Sequence, residues 1–485
     1  MSERLRPRDV ALLAEESTSA PMHNATVEIF DPGQSGFDYP ELVRLVQERL
    51  SFVPRYRQRV QAVPGHLANP VWVDDDHFDL GYHVRRSALP RPGTLDQLRE
   101  LVARIVSRPL DRNRPLWEIY FVEGLAEGRV ALLSKSHQVL VDGMHTVDLG
   151  QVLLDKSPEP KELGADEWRA RSRPSPFTLM AGAVQDSLTH RGTVTATART
   201  TTGAVLRGVA GAAKSAGHVV DALTNRTPSP GSPIIGPLSQ QRRVVAVRTD
   251  LADYRKVREA HGGTVNDVIL ATVTGALRAW LQARDESMYG IHEVRAVVPI
   301  SVIDDEMEAT SLGSQIAAHF VDLPVREASP VVRLHQVSYS FQAHKETGRA
   351  VAANRLTSIS GFAPATFHAV GSRLAARERR SYQLNVTNVP GPQAPLYAAG
   401  ARMIETYPVP PLLEGHPLAI GVTSYDGHVY YGLTADRDML PDADLLGPCL
   451  REALDELVDS ATGGRTRAPR GRRKRKSEPA EKGRR

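Results

Sequence analysis

Between Lys156 and about Gln240 the sequence loses the regular alternation of apolar and polar residues that it keeps on either side. The break opens with Pro158, Pro160, Pro174 and Pro176, passes through an Ala/Gly/Thr-rich stretch from Phe177 to Leu223, and closes with Pro228, Pro230 and Pro233. Such a composition reads as a connection. Its middle has helical character and carries Arg207 and Lys214, which suits a helix lying along the protein or on a bilayer. With 485 residues, 41% of them hydrophobic, the chain is longer than a single core usually grows. We therefore expect folded parts over residues 1–158 and 241–460, joined by a partly helical linker over 159–240.

Both parts read as mixed α/β. In the first, Ala25–Phe30 alternates as a strand, while 40–50 and 95–106 carry helical periodicity. Residues 117–122 and 129–136 are strand-like, with Gly124 and Gly128 bounding the turn between them, so they should form a hairpin. In the second part a strand is expected over 244–248 and a helix over 250–261. Thr264 and Asp267 then form a capping box that opens another helix. Ile269, Val273, Leu277 and Leu281 follow on one face of that helix, at the spacing of a buried stripe. Further strands fit 294–299, 381–389, 418–424 and 429–433, and a last helix fits 443–457.

The net charge of +4 comes from the end of the chain. Residues 461–485 hold eleven Lys/Arg against two Asp/Glu, including the run Arg472–Lys476, and lack the apolar content to fold. A solvated tail is one reading of this segment. Contact with anionic lipid headgroups, at about 1 kcal/mol per basic residue, is the other. Cys449 is the single cysteine and has no disulfide partner within the chain, which suits a reducing compartment. No stretch of about 18 uncharged apolar residues occurs. We expect a cytoplasmic protein, peripheral on the inner face of a membrane or on lipid inclusions if the tail binds lipid.

The most informative stretch is Lys135-Ser-His137-Gln138-Val-Leu-Val-Asp142-Gly143, which ends a strand and turns at Asp-Gly toward a helical pattern. It resembles the HHxxxDG motif of the wax ester synthase/diacylglycerol acyltransferases, a group built on the chloramphenicol acetyltransferase fold. Other family-like segments occur in the expected order up to about residue 460: Pro21-Met-His23, Asn69–Val73, Phe78–Leu80, Ser107–Asp111, Arg114–Trp117, Asn266-Asp267 and Asn388–Pro392. The resemblance implies two chloramphenicol-acetyltransferase-like α/β domains with mixed sheets, and an active site where they meet. One mouth of a channel there would admit acyl-CoA, and the other a hydrophobic alcohol.

In such acyltransferases a histidine four residues before the motif aspartate deprotonates the acceptor hydroxyl, which attacks the thioester of acyl-CoA. Counting back from Asp142 gives Gln138, while His137 matches the first, usually non-catalytic, histidine of the pair. A primary amide orients a hydroxyl or an oxyanion but takes no proton at neutral pH. Two readings stand. Either His137 turns into the cleft and is the base, or Gln138 positions the acceptor without one. Alternation along an extended strand places His137 on the face of Lys135 and Leu133, and Gln138 on the face of Ser136. His145 is a further stand-in, read here as a solvated or capping histidine.

The resemblance makes Asp142 a structural ion-pair partner. Read from the residues alone, it caps a helix, with Gly143 allowing the turn. Asn266 and Asp267 lie near the cleft in the family picture, and the capping box alone also explains them. Trp117 reads first as a core aromatic on a strand and second as an acyl-chain contact.

The implied activity is acyl transfer from long-chain acyl-CoA to diacylglycerol, giving triacylglycerol and CoA, with a fatty alcohol as alternative acceptor. No bound cofactor or metal is required, since acyl-CoA is a co-substrate. The competing reading is a catalytically weakened member that binds lipid or acyl-CoA. Serine-hydrolase elbows, phosphate-binding glycine loops and clustered metal ligands are absent from the sequence, and no nucleic-acid partner is expected.

Overall fold

The structure, a computed structural model, describes residues 3–33, 35–140, 149–159, 168–172, 174–181, 232–284, 293–301, 316–346, 368, 372, 375–376 and 382–463. Asp142, Gly143 and His145, most of the linker with Arg207 and Lys214, and the basic tail beyond residue 463 lie outside these residues.

Two six-stranded mixed sheets dominate the fold. The first contains β1 (His23–Asp31), β4 (Val84–Ala88), β5 (Trp117–Glu123), β6 (Val130–His137), β11 (Tyr397–Ala398) and β12 (Ala401–Val409), in the order β11-β12-β1-β6-β5-β4. The second contains β7 (Arg242–Asp250), β8 (Val294–Ser301), β9 (Ile316–Leu323), β10 (Leu384–Val389), β13 (Leu418–Tyr425) and β14 (His428–Asp436), in the order β7-β14-β13-β10-β8-β9. A small ribbon of β2 (Gln58–Gln61) and β3 (Val71–Asp74) stands apart.

The expected hairpin is present: β5 and β6 pair antiparallel, with Trp117 opposite Ser136. Gly124 and Gly128 both take positive φ in its turn. Helix α4 (Leu95–Val106) begins at a Thr94–Gln97 capping box and buries Leu98, Val102, Ile105 and Val106. In the second half α6 (Leu251–His261) and α7 (Val265–Ala283) occupy the expected positions. The whole stripe of Ile269, Val273, Leu277 and Leu281 is buried in a second core, under α9 (Leu446–Thr462).

A boundary at residue 241 does not divide the sheets. Strands β11 and β12 come from the second half of the sequence and complete the first sheet, with Ala25 opposite Val409 and Thr26 opposite Pro408. Strand β12 also lies against the second sheet. A Cβ on Gly432 would fall 1.6 Å from the Pro408 carbonyl oxygen, and one on Gly421 would fall 2.9 Å from the Pro408 ring. Tyr425 and Tyr430 donate their phenolic hydrogens to the carbonyls of Met403 and Ile404, at 2.9 and 3.0 Å. Proline is tolerated at 408 because β11 is only two residues long and does not reach it.

The faces of the second sheet follow from its pleat. Leu384 and Val386 look into the core under the helices, whereas Val244, Val297, Tyr425 and Tyr430 belong to the core of the first half. By alternation Asn385 and Thr387 share that second face, directed at the first half.

Candidate functional site

The site is built at the end of β6. The strand terminates at His137, and residues 138–140 close into one 3₁₀ turn. The turn is tied on both sides: the Gln138 N–H donates to the Met22 carbonyl at 2.9 Å, and the Val139 N–H donates to His137 Nδ1 at 3.1 Å. The tight turn leaves the extended geometry at residue 138, so strand alternation no longer sets the direction of Gln138.

His137 is fully buried. It sits opposite His23 across the β1–β6 pair, on the face that also carries Lys135 and Leu133. Because Nδ1 accepts from the Val139 N–H, the neutral ring carries its proton on Nε2, which lies 3.6 Å from Glu16 Oε1. Burial works to raise the Glu16 carboxyl, yet His137 and Arg112 outweigh it and hold the group at about 2. Arg112 reaches Glu16 Oε2 through two nitrogens, at 2.8 and 2.5 Å. The imidazole is thus enclosed between a backbone donor and an anion, with no lone pair left for an acceptor hydroxyl. In this arrangement His137 secures the turn through its Nδ1.

The same face caps the end of α4. His23 Nε2 donates to the Val106 carbonyl at 2.9 Å, and Lys135 Nζ donates to the carbonyls of Arg108 and Ile105 at 2.5 and 3.3 Å. Burial drives the His23 ring well below its ordinary pKa and brings the Lys135 ammonium down to about 8. Polar groups here complete the carbonyls at a helix C-terminus.

Gln138 is also fully buried, and neither its carbonyl oxygen nor its amide nitrogen has a hydrogen-bond partner among the described residues. A buried carboxamide left open in this way costs stability, and such a group usually answers to a ligand or to ordered water.

Trp117 is 1% exposed; it donates Nε1–H to the Tyr56 carbonyl at 2.7 Å and stacks on His83 at 4.6 Å. It also lines a small cavity with Asn24, Ser134 and Ser136. In the second half Asp267 Oδ2 accepts both the Thr264 N–H at 2.8 Å and the Ser338 hydroxyl at 3.2 Å, which ties it to the capping box and a neighbouring helix. Asn266 Oδ1 accepts from Asn388 Nδ2 at 2.9 Å. Two segments singled out separately in the sequence, Asn266-Asp267 and Asn388–Pro392, are therefore parts of one junction between the start of α7 and the end of β10. No hydrogen bond or ion pair joins that junction to His137 or Gln138 among the described residues.

Sequence reasoning missed Glu16, Arg112, Asn24 and Asn385. The available signal was local: Asn24 and Asn385 are amides set within runs that otherwise supply buried strand residues. Glu16 and Arg112 carry no such mark, because only folding brings them to His137.

Two mixed sheets, the first of them completed by a strand that crosses from the second half of the sequence, define a two-lobed class of fold. The first condensation domain of the calcium-dependent antibiotic synthetase shares it, at a TM-score of 0.56 over 95% of this chain and 96% of that one, with 14% identity. A wax ester synthase/diacylglycerol acyltransferase from Marinobacter aquaeolei VT8 superposes with a TM-score of 0.66 at 26% identity, covering 95% of this chain and all of that one.

The wax ester synthase/diacylglycerol acyltransferase catalytic domain matches residues 5–269, and the C-terminal domain of the same family matches residues 312–458. A probable diacylglycerol O-acyltransferase of Mycobacterium tuberculosis, tgs1, is 33% identical over 436 residues, 90% of each chain. Another from that organism, tgs3, is 40% identical over 267 residues, 53% of this chain and 96% of that one. The chain belongs to the wax ester synthase/diacylglycerol acyltransferase family.

Proposed function

We propose that this protein transfers a long-chain acyl group from acyl-CoA to the free hydroxyl of diacylglycerol, forming triacylglycerol and CoA. A fatty alcohol is the alternative acceptor. The observation that carries this reading is the open carboxamide of Gln138 in the turn where the family places its base. The Gln138 oxygen accepts a hydrogen bond from the acceptor hydroxyl and aims its oxygen at the thioester carbon. The new C–O bond forms as the C–S bond breaks, and the hydroxyl proton leaves with the thiolate as CoA thiol. Positioning and exclusion of water supply the rate, because the amide takes no proton. Asp142 and Gly143 would complete the turn, Asn266 and Asp267 the far wall of the cleft, and Trp117 the acyl-chain side. The folded parts would span 1–158 and 241–460, with the protein on the cytoplasmic side and its basic tail at a lipid surface. Among the described residues no helix is long and apolar enough to cross a membrane.

A second reading is favoured by the same residue. Glutamine in place of the base suits a family member that binds lipid or acyl-CoA and turns it over slowly or not at all. Turnover of labelled palmitoyl-CoA with diolein or hexadecanol separates the two readings. The transferase reading expects wild-type ester product and a gain of about tenfold or more in Gln138→His, since a positioned base contributes roughly 10²–10⁴. Product in Gln138→His alone supports the binding reading. Product in neither sinks both assignments of the turn.

A further inference from the structure

Three carboxamides among the described residues are buried with both the oxygen and the nitrogen unpartnered: Gln138, Asn24 and Asn385, at 0%, 4% and 2% exposure. They come from distant parts of the chain, and the topology gathers them at one end of the junction between the sheets. The close contact is at Pro408, which pairs with Thr26 on the first sheet and abuts Gly421 on the second. Asn24 is one pleat from Thr26, about 6.6 Å along its strand, on the same face. Asn385 is likewise one pleat from Thr387, which pairs with Gly421.

The direction is the same in both cases. Strand β12 passes from Met403, held by Tyr425, to Pro408 at Gly421, and Asn24 and Asn385 both lie beyond that point. Gln138 is at this end too, bound through its N–H to Met22, two residues before Asn24.

Each open amide costs the empty protein stability. A set of them offers donors and acceptors without charge, which does not suit a phosphate or a metal ion. It suits a neutral ligand that carries several oxygens close together. We infer that Asn24 and Asn385 bind the ester carbonyls of an acylglycerol acceptor while Gln138 holds its free hydroxyl, so that these amides select a glyceride over a linear alcohol. A linear alcohol presents one oxygen and would leave two of the three amides open. This inference rests on the proposed transferase reading for its substrate class, and its test does not need turnover.

The experiment is binding of 1,2-dioctanoylglycerol and of dodecanol to the full chain, followed by calorimetry and by ligand-induced shift in melting temperature. Wild type, Asn24→Leu and Asn385→Leu are compared. The expected result is a glyceride-to-alkanol preference that falls at least tenfold in each variant, with a ligand-free melting temperature equal to or above that of wild type. An amide serving only the fold would instead lower the ligand-free melting temperature. That outcome, or an unchanged preference, overturns the inference, as does wild type binding the two ligands equally. Acyl transfer by wild type with an unchanged preference in the variants would leave the transferase reading standing and remove this one. Selective binding without turnover would do the reverse.

Discussion

Glu16 Oε1 lies 3.6 Å from His137 Nε2, and this contact joins the segment after the first helix, α1 (Pro7–Glu15), to the turn that carries Gln138. The carboxyl sits at about 2 against an ordinary 4.5, so the folded protein favours its ionised form. A depressed carboxyl stabilises the fold in full above pH about 4.5, and that contribution is lost as the pH falls toward 2. A shift of this size corresponds to roughly 3 kcal/mol at most. Glu16→Gln should therefore melt below wild type at neutral pH, with the gap closing between pH 4.5 and 2. Melting curves across that range check it; a gap that persists at pH 2.5 would show that ionisation is not the cause.

Asp436 is fully buried and holds Arg242 at 3.4 Å, while also accepting the N–H of Ser239 at 2.6 Å and of Met439 at 3.0 Å. Arg242 in turn donates to the Ser19 carbonyl, tying the second sheet to the N-terminal segment. Removing the carboxylate strands a guanidinium that is 6% exposed. Asp436→Ala should lose about 3–5 kcal/mol in urea unfolding. A loss under 1 kcal/mol would mean that water replaces the carboxylate.

Gly432 has no room for a side chain, since its Cβ would fall 1.6 Å from the Pro408 oxygen. Gly432→Ala should cost about 3 kcal/mol or more, because only backbone movement relieves the clash. Gly447→Ala is the comparison: its nearest new contact is Val245 at 3.4 Å, and the change should stay within about 1 kcal/mol of wild type. Equal stability of the two variants would refute the tight crossing of β12.

Cys449 is on the buried face of α9, and burial pushes its thiol up to about 11. A thiol in that state is scarcely ionised at pH 8 and is shielded from reagent. The native protein should react with an aromatic disulfide reagent far more slowly than the urea-unfolded chain, at least a hundredfold. Fast labelling of native protein would place Cys449 at an accessible surface.

Much of the secondary structure was legible because it is governed by local periodicity. The stripe from Ile269 to Leu281, the capping box at Thr264 and the β5–β6 hairpin are all short-range patterns. The family was legible for a related reason: its motifs are short and their order along the chain survives. Strands β4 and β9, helix α8 (Pro330–Glu346) and the β2–β3 ribbon escaped notice. In the case of β4 only Val84 is buried, and the segment Val-Arg-Arg-Ser-Ala presents few apolar side chains to count.

The sequence by itself determined that the chain makes two mixed α/β halves, that it carries the family's motif order, and that glutamine stands where a base is expected. Tertiary structure alone decided what that glutamine has around it. Strand β12 joins the first sheet from the second half because Gly421 and Gly432 let Pro408 approach, a long-range fit that no local pattern encodes. His137 is turned to Glu16, and Asn24 and Asn385 are brought to one end of the same junction, by packing between segments far apart in the chain. Periodicity reports which face of an element is buried; it does not report which buried groups will meet.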